Sequence, residues 1–165
     1  MSDDFWSFSI AVYRKPGVEP ALLALQDDFG FDVNLLLFCV YCAKAGHGRL
    51  SQQTQQAMAE IADVWGGQIV APLRAVRRVL KTPVAGASGA LREPLRGEVK
   101  RIELAAERAM QQLLAGLVAG PALRPAEALD AWSNLEAYAA RRGREFSVPL
   151  KAHMASLVNA AFSDT

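Results

Sequence analysis

The chain has 165 residues, 52% of them hydrophobic and 21% charged, with two cysteines and a formal charge of +1. A chain of this length can bury about 70% of the surface it exposes when unfolded, so one hydrophobic core suffices without a disulfide framework. The near-zero charge excludes a global polycation or polyanion field for coating nucleic acid or an anionic membrane.

The opening residues, Met1-Ser2-Asp3-Asp4, are acidic where a secretory leader is basic and then apolar, so a cytoplasmic setting is expected. Asp3 or Asp4 can cap a first helix that runs to about Lys15, where Pro16-Gly17 stops it. A second helix is expected over Val18–Phe29: Val18, Leu22, Leu25 and Phe29 recur at spacings of 4, 3 and 4 as one apolar face, and Gly30 suits the position after its end. Asp32 can cap a third, Val33–Ala45, which is apolar nearly all round. Such a helix needs neighbours on every side, so residues 33–45 are expected at the centre of the fold. Its uncharged run, Leu35 to Ala43, falls well short of the roughly 20 residues that span a bilayer, and no membrane insertion is expected.

After Gly46-His47-Gly48, Ser51 can cap a helix reaching Trp65. Gly66-Gly67 and Pro72 predict a break or kink before a second segment ending near Lys81. Residues 82–92, with Pro83, Gly86 and Gly89, read as a mobile loop. A long helix is expected from about Pro94 to Val118, with Leu95, Val99, Ile102, Ala106, Met110, Leu113 and Leu117 as its packing seam. Pro125 is expected to open a helix to Arg142, and Ser147 to cap a last one to about Phe162. Strand-type alternation is found nowhere, and no period of about 20 to 50 residues repeats. The fold class is therefore all-α: a single domain over residues 1–165, built as a compact bundle of about seven helices around residues 33–45.

Charge is segregated along the chain. Residues 1–65 hold four Lys/Arg against eight Asp/Glu, residues 66–108 nine against four, and residues 109–165 five against five. In the basic third, Arg74, Arg77, Arg78 and Lys81 recur at i, i+3, i+4 and i+7, beside an apolar face of Ile69, Leu73, Val76 and Leu80; Arg96, Lys100 and Arg101 follow on the next helix. Two such stripes can grip an anion or an acidic partner through guanidinium forks. In the competing reading, Glu98, Glu103 and Glu107, or the acidic first third, neutralise them inside the fold.

A second candidate is the polar cluster Gln26, Asp27, Asp28 and Asn34. Asp27 and Asp28 fall in a last helical turn, where the helix dipole disfavours carboxylates by a few tenths to about 1 kcal/mol each, so compensation is expected from a basic side chain packed against them, a metal ion, or a cationic or phosphorylated ligand bound through one. Asp27, Asp28 and Asp32 have the D-D-x-x-x-D spacing of the magnesium sites of isoprenoid synthases, but Gly30 interrupts the helix between them and no second such motif follows; no metal ligand is assigned. Gln26 and Asn34 sit beside apolar residues and need hydrogen-bond partners if buried.

Cys39-Val40-Tyr41-Cys42 has C-x-x-C spacing without a second ligand pair or a βαβ context, so two buried thiols are expected. Neither His47 nor His153 has a sequence neighbour that would complete a dyad. Nucleotide-binding, nucleophile-elbow and zinc-protease motifs are absent. No catalytic residue and no cofactor is expected, and the chain reads as a binding protein rather than an enzyme.

The run Asp4-Phe5-Trp6-Ser7-Phe8-Ser9, then Leu25-Gln26-Asp27 and Asp32-Val33-Asn34-Leu35-Leu36-Leu37-Phe38-Cys39, resembles a family of small helical proteobacterial proteins of unknown function. The resemblance implies a bacterial cytoplasmic setting and carries over no site residue. Function itself stays unknown at this level. The favoured expectation is a helical protein-interaction or regulatory module with Arg74, Arg77, Arg78, Arg96, Lys100 and Arg101 as an electropositive surface for a protein partner. The alternative is an all-α enzyme or small-ligand binder that holds an anionic group between those arginines and the acidic cluster. Nucleic acid is disfavoured because acidic residues interleave the basic track, and a homodimer through the long helix is left open.

Overall fold

The helix on which the others pack begins where Asp32 starts it. Asp32 Oδ1 accepts the N–H groups of Asn34 (2.8 Å) and Leu35 (3.3 Å), two of the donors that a helix start leaves open. The computed structural model describes residues 2–84 and 86–163, apart from the side chains of Ser2 and Asp3. Among them it holds α1 (Ser2–Tyr13), α2 (Val18–Asp27), α3 (Val33–Lys44), α4 (Gln52–Ile61), a π-helical segment (Ala62–Val70), α5 (Ala71–Val79), α6 (Gly89–Gly116), α7 (Ala128–Arg141) and α8 (Val148–Phe162). Because α4, the π segment and α5 follow one another without a gap, these make seven helical rods with no strand among the described residues, the all-α architecture expected.

Every residue from Asn34 to Val40 is buried, and α1, α2, α6, α7 and α8 all pack against α3. The apolar face of α2 (Val18, Leu22, Leu25) and the inner face of α8 (Leu150, Met154, Leu157) join it in one continuous core. Each fully buried Leu or Phe there contributes about 1.5–3 kcal/mol of transfer free energy. Cys39 and Cys42 are both buried free thiols within that core, and Ser51 caps α4 by accepting the Thr54 N–H at 3.1 Å. Among the described residues no helix is long and apolar enough to cross a membrane.

Several boundaries differ from expectation, each for a physical reason. The first helix already runs from Ser2, so Asp4 lies inside its first turn and not before it; the Asp3 side chain lies outside the described residues. The predicted break at Gly66-Gly67 and Pro72 is absent. The Ala71 N–H bonds to Gly66 O, five residues back, and this wider turn shifts the carbonyl against which Pro72 would clash in an α-turn, so the rod continues into α5. The long helix begins at Gly89, five residues before Pro94. Proline deprives only the Ala90 carbonyl of a partner, and Ala90 is exposed to solvent. Residues 117–127 are irregular instead of helical from Pro125, because Leu123 N and Arg124 N bond to Gly46 O (2.9 and 3.2 Å). Gly46 has φ +80° and lies against the Arg124 carbonyl where a Cβ would clash, so this crossing needs glycine.

The expected packing seam of α6 is realised only in part. Ala106 and Met110 are buried, but Leu95, Ile102 and Leu113 are exposed, and the buried face of α6 is Glu103, Ala106, Met110, Gln111 and Leu114. The first half of α6 extends beyond the bundle with α5 alongside it. No residue of α5 is buried, and none of residues 89–102 is. Arg92 closes this hairpin, donating from Nη1 to Leu80 O (2.9 Å) and Thr82 O (2.8 Å).

Candidate functional site

The hairpin is fastened to the body at Arg74. Its Nε donates to Glu103 Oε1 (3.2 Å), its Nη2 to Glu107 Oε1 (2.7 Å) and its Nη1 to Gln26 Oε1 (2.9 Å), so every guanidinium nitrogen is engaged. One turn further, Arg77 reaches Glu103 from Nε and from Nη2 (3.1 Å), the bidentate fork that guanidinium geometry favours. Glu103 is thereby held by two arginines with its side chain only 7% exposed. Burial alone would raise the Glu103 carboxyl, but the hydrogen bonds and charges of Arg77 and Arg74 outweigh it and hold it below the ordinary glutamate value. Glu107 moves the other way: burial raises it, only Arg74 opposes, and the charges of Glu103 and Asp32 add to the rise. Asp32 is raised as well, by burial, against its helix-start hydrogen bonds and Arg74.

The polar cluster is divided between two networks. Gln26 belongs to the Arg74 junction and also donates to Asp27 Oδ1 at 3.1 Å. Asn34 is buried elsewhere: its Oδ1 accepts Gln111 Nε2 at 2.9 Å, its Nδ2 meets Met110 Sδ at 3.9 Å, and Gln111 Oε1 lies 3.1 Å from the Ser9 hydroxyl. These are interior clamps that satisfy polar groups inside the core. Asp27 is exposed and 3.8 Å from Arg78, a basic side chain being one of the compensations expected at this helix end. Asp28 is exposed.

The six basic candidates separate by depth. Arg74 and Arg77 are neutralised by Glu103 and Glu107, as the competing reading anticipated for these two. Arg96 pairs with Glu93 and Arg101 with Glu98 on α6 itself, both through solvent-facing glutamates. Arg78 and Lys100 are exposed, and Lys81 stands exposed at the end of α5. Surface pairs of this kind contribute about 0–1 kcal/mol and leave the cations available to a partner.

Residues outside the expected sites make a second constructed region. Asn134 Oδ1 accepts Leu50 N at 2.8 Å and its Nδ2 donates to Cys39 O and Gly48 O, both at 3.1 Å. Asp130, buried, binds Arg49 (3.2 Å) and Arg124. Together they hold the 46–50 loop with His47 half-buried between two open clefts of ≈ 360 and ≈ 330 Å³. Neither cleft is lined by Asp28 or by any of the six basic candidates. Among the described residues no three His, Cys, Asp or Glu side chains are grouped to hold a metal ion. The readable signal for the first network was the spacing of Glu103, Glu107 and Gln111, one helical turn apart on the same side as Ala106 and Met110. Nothing local marks Asn134 or Asp130.

Comparison with known proteins supplies a family and no activity. No curated protein and no solved structure matches the chain. The family model described as a protein of unknown function, DUF2390, matches residues 4–114, from α1 through the last buried residue of α6 and including the whole Arg74 junction, so the chain belongs to the DUF2390 family.

Proposed function

We propose that the chain is a helical protein-interaction module of the bacterial cytoplasm that docks an acidic protein segment on the cationic flank of the α5–α6 hairpin. The observation that carries this reading is the hairpin itself: two helices with no buried residue before Glu103, joined to each other at Arg74 and Arg77 and to α2 at Gln26, with Arg78, Lys81 and Lys100 left exposed. An already helical, cation-bearing element standing clear of the core suits capture of a partner, since preorganisation lowers the ordering cost of binding. The occupant is acidic by charge complementarity. Residues 66–108 hold nine cations against four acids, and with Arg74, Arg77, Glu103 and Glu107 paired inside the fold seven cations stand against two acids.

The test compares the tagged full chain with an Arg78→Glu/Lys100→Glu variant in capture from bacterial lysate. Bound proteins are identified by mass spectrometry, and the purified candidate is titrated at several salt concentrations. One acidic protein held by the wild type at low salt, released at high salt and lost with the variant is the expected result. Identical captures by both proteins would overturn it, and so would a stoichiometric small molecule with no protein bound. Arg77 is unsuited to this test, because its reversal would set a carboxylate against Glu103.

A further inference from the structure

The cleft of ≈ 360 Å³ beside His47 draws one polar side chain from each of four segments: Asp4 from α1, Tyr41 from α3, His47 from the 46–50 loop and Gln112 from α6. The rest of its lining is alanine, glycine and valine, with no lysine or arginine. Among the described residues none of these four side chains makes a hydrogen bond or an ion pair. The neighbouring Gln111, by contrast, is turned inward and bonded to Asn34 and Ser9. Tyr41 is fixed from the core side, its ring packed against Phe5 (centroids 4.9 Å apart) and Phe8 (5.5 Å) and lying 6.4 Å from the His47 ring. Burial raises the Tyr41 hydroxyl, and the Asp4 carboxylate adds to the rise, so phenol and carboxylate stand within electrostatic reach of each other. His47 is fixed through its backbone. Its N–H donates to Cys42 O at 2.8 Å, and it sits between Gly46 and Gly48, both in the left-handed region at φ +80° and +76°. The interior thus positions two rings at a cleft whose polar groups bond to nothing in the fold.

We infer that this cleft binds a small organic cation, an ammonium or amidinium group on a compact apolar body. Asp4 receives the cation through a charge-assisted hydrogen bond. The oxygens of Tyr41 and Gln112 are acceptors for its remaining N–H groups, and the alanine and valine walls cover its body. An anion would meet the Asp4 carboxylate with no lysine or arginine to offset it, and a neutral ligand would desolvate that carboxylate without compensation. The volume lies at the small end of the roughly 300–1,000 Å³ of small-ligand sites, and a mostly apolar wall with a few convergent polar groups is their usual make-up. The adjoining cleft of ≈ 330 Å³ shares His47, but there Arg49 is paired with Asp130, and the Ser51 and Thr54 hydroxyls bond to each other. None of the exposed cations of the α5–α6 hairpin lines the first cleft, so this inference stands apart from the reading of that surface.

Benzylamine is the probe, with benzyl alcohol as its neutral counterpart. In heteronuclear NMR titrations of the full chain, benzylamine should give saturable shifts grouped at Asp4, Tyr41, His47 and Gln112. Benzyl alcohol should bind at least about tenfold more weakly, because it cannot supply the charge-assisted bond. Asp4→Asn keeps the shape of the side chain and removes its charge, and should weaken benzylamine by the same factor; Gln112→Ala should weaken it by about threefold. Both side chains are exposed, so the helical circular dichroism and the thermal midpoint should hold. Asp28→Asn removes an exposed carboxylate that does not line the cleft and should leave binding unchanged. The absence of saturable shifts with benzylamine, equal binding of benzyl alcohol, or a loss with Asp28→Asn equal to that with Asp4→Asn would overturn the inference.

Discussion

Glu103 and Glu107 stand one helical turn apart and share Arg74, yet their carboxyls shift in opposite directions. The difference lies in partner number: two arginines serve Glu103, and one serves Glu107. Removing the charge of Glu103 takes the shared anion from Arg74 and Arg77 in a half-buried setting and leaves one amide oxygen where two carboxylate oxygens accepted, so Glu103→Gln should cost about 2–3 kcal/mol in chemical denaturation. Glu107→Gln removes a carboxylate that the fold disfavours and keeps an acceptor for Arg74, and should cost less than about 1 kcal/mol; equal losses would contradict the assignment. The pH dependence has a definite sign. A lowered folded pKa stabilises above the unfolded value, so the gap between wild type and Glu103→Gln is full above the ordinary glutamate value of 4.5 and closes as pH falls through the lower folded value.

At the scale of elements, α3 and the 46–50 loop show two ways of ordering a segment. In α3 the apolar side chains suffice, and Leu36→Ala, at a site with no exposure, should cost about 2–5 kcal/mol. The loop is ordered by polar contacts, three of them made by one amide. Asn134→Ala strips partners from Leu50 N–H, Cys39 O and Gly48 O together and should cost about 1–3 kcal/mol. Hydrogen exchange should show the Leu50 amide losing protection far more than amides inside α3, and uniform loss along the chain would show that the clamp is not local. The π segment makes a third case: its indole, Trp65, donates to Ala106 O at 2.8 Å and holds the wide turn against α6.

At the scale of the whole molecule, neighbouring cations have unequal consequences. Arg78 and Lys100 are exposed, so Arg78→Glu/Lys100→Glu should leave the thermal midpoint nearly unchanged, within about 0.5 kcal/mol per site. Arg77→Glu should lower it clearly, at a cost of more than about 2 kcal/mol, because a second carboxylate is then set against the buried Glu103. Scanning calorimetry of the two variants separates the structural cations from the available ones, and equal midpoints would remove that distinction.

What the sequence determined alone is what depends on neighbours along the chain. The Asp32 and Ser51 starts, the apolar face of α2 and the all-round apolar α3 rest on hydrogen bonds and periodicities within a few residues, and all were readable, although α2 stops at Asp27, two residues short of the expected Phe29. The pairing of the basic stripe with Glu103 and Glu107 was readable as one of two alternatives, and only the packing of α5 on α6 decided between them for Arg74 and Arg77. Arg77 and Arg78 are adjacent and chemically identical; one lies on the line of contact and the other faces solvent, a difference set by the angle at which a second helix arrives. Leu95 and Ala106 share one periodic stripe, but the bundle covers only Ala106, because the period of a helix specifies a face and says nothing about where its neighbours end. Asn134 and Asp130 act on a loop more than 80 residues earlier in the chain, and such distant pairing comes into being only when the tertiary fold closes.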